Sequence, residues 1–209
     1  MNFLKSVFLV SFFCLAALPS GRAEERRILI LGDSLTKGEG LMTEQAFPAL
    51  LGKKMTESGN QNWTVLNGGV SGDTTAGGLR RLTWLLGKKV DILVVALGAN
   101  DGLRGVAPAE TDRNLQAIID KAKAKYPDIR IIIAGMQMPD NFGKEYVKKF
   151  REVFPEVAKR NNLPLIPFLL EGVGGVPELN LPDLIHPNQK GQEVIAETVW
   201  NTLQPMINN

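Results

Sequence analysis

From Arg27 onward, short runs of apolar residues recur along the chain, separated by longer segments that mix apolar with charged positions. The runs are RILIL (27–31), WTVLN (63–67), DILVVALG (91–98), IRIIIAG (129–135) and LPLIPF (163–168). Their length and their content of Ile, Val and Leu predict strands. The intervening amphipathic segments predict helices at 43–58, 74–87, 110–125, 143–160 and 188–204. Pro155 should kink or interrupt the fourth, because proline offers no N–H and crowds the preceding turn. Alternation of this kind predicts an α/β fold with a parallel sheet and crossover helices. Strands this apolar are expected to be buried on both faces. No repeat, linker or low-complexity segment divides the chain, so residues 24–209 are expected to form one domain.

The first 23 residues stand outside that pattern. Lys5, an apolar stretch of 13 residues from Ser6 to Leu18, and then PSGRA have the layout of a secretory signal, with cleavage expected after Ala23. The stretch falls short of the roughly 20 apolar residues needed to span a bilayer. An exported protein, periplasmic or secreted, is therefore expected, with no stable membrane span in the mature chain. Cys14, the single cysteine, leaves with the leader, so disulfides and thiolate metal sites are excluded. The leader also takes two of the 24 basic residues and none of the 22 acidic ones, leaving zero net charge. That balance gives no sign of a nucleic-acid partner.

In an open parallel sheet, ligands bind beyond the carboxyl ends of the strands. The segments leaving those ends are GDSLTKG, GGVSGDTT, GANDGLRG, MQMPDNFG and LLEGVGGVPEL, and most are rich in Gly, Asn, Asp or Ser. Ser34, at the end of the first strand, is a turn or helix-capping residue, part of a phosphate cradle, or a nucleophile near backbone N–H groups that favour negative charge. Ser71 competes with it, but Asp73 stands where a G-x-S-x-G elbow needs its last glycine. His186 is the one histidine of the chain, so any imidazole base must be this residue. Asp183 lies three residues before it, and one turn of helix-like backbone would bring carboxylate and imidazole together; Asp183 could equally cap a helix. Pro187 is expected to start the last helix. Gly72 and Asn100 can each donate a hydrogen bond to an oxyanion, through a backbone N–H and a side-chain amide, or serve simply as turn residues.

The blocks GDSL, GGVSGDT, GAND and DLIHP, in this order and spacing, resemble the four motif blocks of the SGNH (GDSL) hydrolase family. The resemblance runs from about Ile28 to the C-terminus, and SGDTT, NDGLRG, IHPN and the closing LQP make it closest to the exported bacterial arylesterase, acyl-CoA thioesterase I and lysophospholipase group. It implies a flavodoxin-like three-layer α/β/α sandwich with a five-stranded parallel sheet. It also implies Ser34 as nucleophile, Asp183 and His186 as its partners, and an oxyanion hole of the Ser34 N–H, Gly72 and Asn100. Relatives often have a Ser-Ala-Gly-Tyr run after the first block, where this chain has Thr36, Lys37, Gly38 and Glu39; the charged pair bears on substrate preference.

The expected activity is a metal-independent, cofactor-free serine esterase acting on small-molecule acyl esters or thioesters. Its acyl-chain site is expected around residues 103–108 and 138–143, with Val106 and Phe142 as contacts. A carbohydrate O-acetyl esterase of the same superfamily is the nearer alternative. A non-catalytic flavin- or phosphate-binding module is the remote one, because a glycine-rich loop after a first strand can cradle phosphate.

Overall fold

A computed structural model of the protein describes residues 24–207; the predicted leader lies outside the described residues. Five strands, β1 (Arg26–Gly32), β2 (Trp63–Gly69), β3 (Ile92–Ala96), β4 (Arg130–Ala134) and β5 (Leu165–Ile166), form one parallel sheet in the order β2-β1-β3-β4-β5. Among the described residues seven α-helices accompany them: α1 (Ser34–Lys37), α2 (Phe47–Glu57), α3 (Thr75–Leu85), α4 (Ala99–Leu103), α5 (Pro108–Lys125), α6 (Lys144–Arg160) and α7 (Gln189–Ile207). α2 packs beside α7, while α3, α5 and α6 pack in a row, giving the expected three-layer α/β/α sandwich in the flavodoxin-like strand order.

The core forms where sequence and topology agree. Ile92, Leu93, Val94, Val95 and Ala96 of central β3 are all fully buried, as are Ile28, Ile30 and Leu31 of β1. Burial of apolar area at about 25 cal/mol per Å² is the main term holding these layers together. β2 departs from the two-faced burial expected of it: as an edge strand it leaves Thr64 and Asn67 exposed. β5 is two residues long rather than six. Pro164 and Pro167 bracket it, and neither can donate an N–H to a ladder.

The predicted helices form with shifted starts. α2 begins at Phe47, with Pro48 in its first turn, where a missing N–H costs nothing; residues 43–45 make a separate 3₁₀ turn. α6 runs through Pro155 without interruption, because that residue is exposed and the carbonyl it leaves unpaired can meet water. α7 begins at Gln189 rather than at Pro187: Asn188 caps it, its Oδ1 accepting from the Gly191 N–H at 3.2 Å. Pro187 instead bridges to Asn180.

Candidate active site

The register of the sheet sets the site. Gly32 of β1 lies opposite Gly69 of β2 and Ala96 of β3, so the three strands end level. The loops carrying Ser34, Gly72 and Asn100 therefore leave from one edge, at the point where the chain branches to either side of β1, which is where this topology opens a crevice. Close approach is required here. A Cβ on Gly69 would stand 2.2 Å from the Lys37 backbone nitrogen, so only glycine lets the β2 exit pass against α1.

Ser34 is the first residue of α1, whose cap is Asp33. Its own N–H therefore has no intrahelical acceptor. The Ser34 hydroxyl lies 3.0 Å from His186 Nε2, and His186 Nδ1 lies 2.7 Å from Asp183 Oδ2. The Asp183–His186 pair is not on a helical turn as expected. It occupies an irregular loop in which Asp183 Oδ1 accepts from the backbone N–H groups of Ile185 and His186, both at 2.9 Å. Leu184 between them takes a φ of +57°, and the His186 carbonyl accepts from Leu181 N–H at 2.7 Å. The loop thus places one oxygen of Asp183 on the backbone and the other on the ring. The hydrogen bond from His186, then the two backbone N–H groups, hold the Asp183 carboxyl down at about 2. An ionised carboxylate on Nδ1 fixes the proton there and leaves Nε2 free to accept from the Ser34 hydroxyl. That is the arrangement that turns an alcohol into a nucleophile.

Gly72 takes a φ of +75°, and this, rather than lack of space, is why glycine suits the position: a Cβ would meet nothing closer than Arg104 Nη2, at 3.5 Å. Its carbonyl accepts from Arg104 Nη2 at 2.8 Å. Asn100, near the start of α4, directs its amide Nδ2 to the Asp73 carbonyl at 3.0 Å and to Asp33 Oδ2 at 3.3 Å. Arg81 ties this region to β1 by donating to Asp73 Oδ2 at 2.6 Å and to the Gly32 carbonyl at 2.8 Å.

Asp33 is fully buried next to Ser34. Burial raises its pKa to about 6, against the pull of the Leu35 N–H and the Asn100 amide. Asp33 Oδ1 also occupies the Leu35 N–H at the opening of α1, a donor that the phosphate-cradle alternative would need free. The Ser71 hydroxyl donates to Glu39, which also receives Lys37 Nζ at 3.0 Å. The charged pair is thus neutralised internally. The Ser71 hydroxyl, and then Lys37, hold the Glu39 carboxyl below its ordinary value.

A cavity of about 410 Å³ is lined by the chain neighbours of Ser34 and His186, Leu35 and Ile185, and falls within the size range of small-molecule sites. Its lining is mostly apolar and includes Leu35, Leu103, Met136, Pro139, Phe168 and Leu170, with Leu184 and Ile185 from the Asp183–His186 loop. Leu103 and Pro139 come from the two loops expected to supply acyl contacts, but Val106 and Phe142 do not line the cavity. The Val106 carbonyl instead accepts from the Tyr146 hydroxyl at 2.8 Å, and Phe142 packs against the core. The β5 exit, one of the five segments expected at this edge but not one named for acyl contacts, also lines the cavity through Phe168 and Leu170; its signal in sequence is the apolar continuation FLL at 168–170.

Other residues that build the site also lacked a signature. Asp101, buried, accepts from Thr75 N–H at 2.8 Å and Thr75 Oγ1 at 2.5 Å, joining the second block to the third. Gln192 of α7, also buried, accepts from Phe47 N–H at 2.8 Å and donates to the Leu35 carbonyl at 3.1 Å, which ties α1 to the last helix. An adjacent acid in GAND and a glutamine one turn into an amphipathic helix were the only signs of them in the sequence.

Comparison with known proteins gives the family and the fold. The model of the GDSL-like lipase/acylhydrolase family matches residues 30–194. The chain is similar to esterase TesA of Pseudomonas aeruginosa, 41% identical over 196 residues that cover 93% of this chain and 96% of that one. It is also similar to thioesterase 1/protease 1/lysophospholipase L1 of Escherichia coli K12, 36% identical over 199 residues, 95% and 93% of the two chains. The crystal structure of TesA superposes with a TM-score of 0.82 at 42% identity, covering 87% of this chain and 99% of that one.

Proposed function

Because the chain belongs to the GDSL-like lipase/acylhydrolase family and is a serine esterase, we propose that Ser34 is its nucleophile, with His186 as general base and Asp183 as the carboxylate that orients it. The observation that carries this reading is the continuous chain of hydrogen bonds from the Ser34 hydroxyl through both ring nitrogens of the only histidine to Asp183. In the first half-reaction Ser34 Oγ attacks the acyl carbonyl while its proton passes to His186 Nε2. Asp183 stabilises the imidazolium that results. The negative charge that gathers on the carbonyl oxygen is received by the Ser34 N–H, the Gly72 N–H and the Asn100 amide, each worth about 10²–10³ in rate. The protonated imidazole then gives its proton to the departing alcohol or thiol. Water repeats the sequence on the acyl-enzyme and releases the acid.

The apolar cavity supports an alkyl acyl chain as its occupant, since each methylene it buries contributes about 0.8 kcal/mol. It correspondingly disfavours a sugar acetate, whose acyl group is a single methyl and whose remainder is polar. A relative named both thioesterase and lysophospholipase fits the same reading, because esters and thioesters pass through one tetrahedral chemistry. The leader layout of residues 1–23 supports export, and among the described residues no helix is long and apolar enough to cross a membrane.

Treatment with a p-nitrophenyl alkylphosphonate ester tests the assignment. Mass spectrometry of the digested protein is expected to find one phosphonyl adduct, on Ser34, formed slowly or not at all in His186→Ala. An adduct on Ser71 or no adduct on an active enzyme would overturn it.

A further inference from the structure

We propose that Asp33 is a positioning residue for the Asn100 amide, holding that oxyanion donor in place through the one carboxylate oxygen that helix capping does not use. The inference rests on the oxyanion role proposed above for Asn100. Oδ1 of Asp33 accepts from Leu35 N–H at 3.0 Å, and this alone caps α1. Oδ2 accepts from Asn100 Nδ2 at 3.3 Å. Capping by itself does not call for a carboxylate, because serine or asparagine caps a helix as well. A buried acid without a cationic partner is expensive, and among the described residues Asp33 joins no ion pair. What a carboxylate supplies that those residues lack is a second acceptor pointing away from the first.

Asparagine at this position would keep its oxygen on Leu35 and turn its NH₂ toward the NH₂ of Asn100, donor against donor. The capping bond would survive and the hold on Asn100 would be lost. In the free enzyme the two hydrogens of the Asn100 amide are directed to a neutral carbonyl, that of Asp73, and to a carboxylate. Bonds to charged acceptors are roughly twice as strong as neutral ones. An arriving oxyanion, itself charged, displaces the Asp73 carbonyl, while the Asp33 bond keeps the amide plane aimed. The long burial-induced shift of Asp33 fits a group kept for function at the expense of stability.

A double-mutant cycle on the full mature chain tests this, with kcat and KM for p-nitrophenyl butyrate measured on wild type, Asp33→Asn, Asn100→Ala and the double variant at pH 8. Asp33→Asn is expected to lower kcat on the order of tenfold with KM within about twofold, the mark of a group that acts in the transition state. Against Asn100→Ala, the same substitution is expected to change kcat less than about twofold, because its route of action is already gone. Asp33→Ser, which keeps a capping oxygen and has no second acceptor, should behave as Asp33→Asn and serves if the latter does not fold. Equal losses from Asp33→Asn in both backgrounds, or a wild-type kcat in both Asp33 variants, would overturn the proposal while leaving Asn100 its role. A wild-type kcat in Asn100→Ala would instead overturn the oxyanion reading, and this inference with it.

Discussion

Asp33→Asn should stabilise the protein while slowing it, and the gain should depend on pH in a defined direction. Burial raises the Asp33 pKa from 3.8 to about 6. The unfolded chain releases this proton near the ordinary value, the folded chain about two units later. Between those values the folded state binds more protons, so wild-type stability falls as pH rises through the window and levels off above pH 6. At 1.36 kcal/mol per unit the loss is about 3 kcal/mol. The asparagine variant has no such proton to lose, although it gives up the hydrogen bond to Asn100, a fixed cost of about 1 kcal/mol.

Thermal unfolding of both proteins by calorimetry or circular dichroism, at intervals from pH 4 to pH 8, reads the difference directly. Every other side chain is the same in the two proteins, so the difference between them isolates position 33. The variant should lie level with wild type or slightly below it at pH 4. It should rise relative to wild type by about 6–12 °C by pH 7, taking 2–4 °C per kcal/mol for a domain of this size. A difference in Tm that is flat from pH 4 to pH 7, or that narrows, would refute the reasoning.

Three further outcomes follow from the same geometry. Asp183→Asn keeps an oxygen for the Ile185 and His186 N–H groups but releases control of the ring tautomer, so kcat for a p-nitrophenyl ester should fall on the order of 10⁴ with the fold retained; a loss below tenfold would contradict it. Asp183 stabilises the native state in its ionised form, with a pKa of about 2 folded against 3.8 unfolded, so its contribution is present above pH 4 and lost as pH falls toward 2; the Tm of Asp183→Asn should match wild type near pH 2 and fall below it at pH 5. Leu103→Trp or Ile185→Trp fills the apolar cavity and should shift relative initial rates across an acetate-to-palmitate ester series toward short chains, whereas Val106→Ala and Phe142→Leu should leave the preference unchanged.

The central strands β1, β3 and β4 were legible because each is a dense apolar run, and a run buried on both faces carries the same signal whatever its neighbours are. β5 was overestimated because LPLIPF is as apolar as a strand while its two prolines forbid the ladder. The two short helices at the site, α1 and α4, had no signal, since four or five residues span barely one turn and show no period. Their effect is nevertheless large: α1 presents Ser34, and α4 carries Asn100 and Asp101. The residue types of the site were readable because a single histidine and four loops at one sheet edge leave few combinations. The fine placement was not. The Asp183–His186 pairing arises from a loop with Leu184 at positive φ, not from helical spacing, and the cavity draws on the apolar ends of β4 and β5 rather than on Val106 and Phe142. Such contacts depend on how loops from distant parts of the chain fold over one another, which no local pattern encodes.

The most direct measurement is hydrolysis of p-nitrophenyl esters from acetate to palmitate by wild type and Ser34→Ala, with circular dichroism confirming that the variant is folded. Wild type should hydrolyse the series with a preference set by the apolar cavity, and the variant should lose activity on the order of 10⁶, the loss seen when a triad nucleophile is removed. A folded Ser34→Ala protein that retains wild-type hydrolysis would contradict the assignment of the nucleophile at its centre.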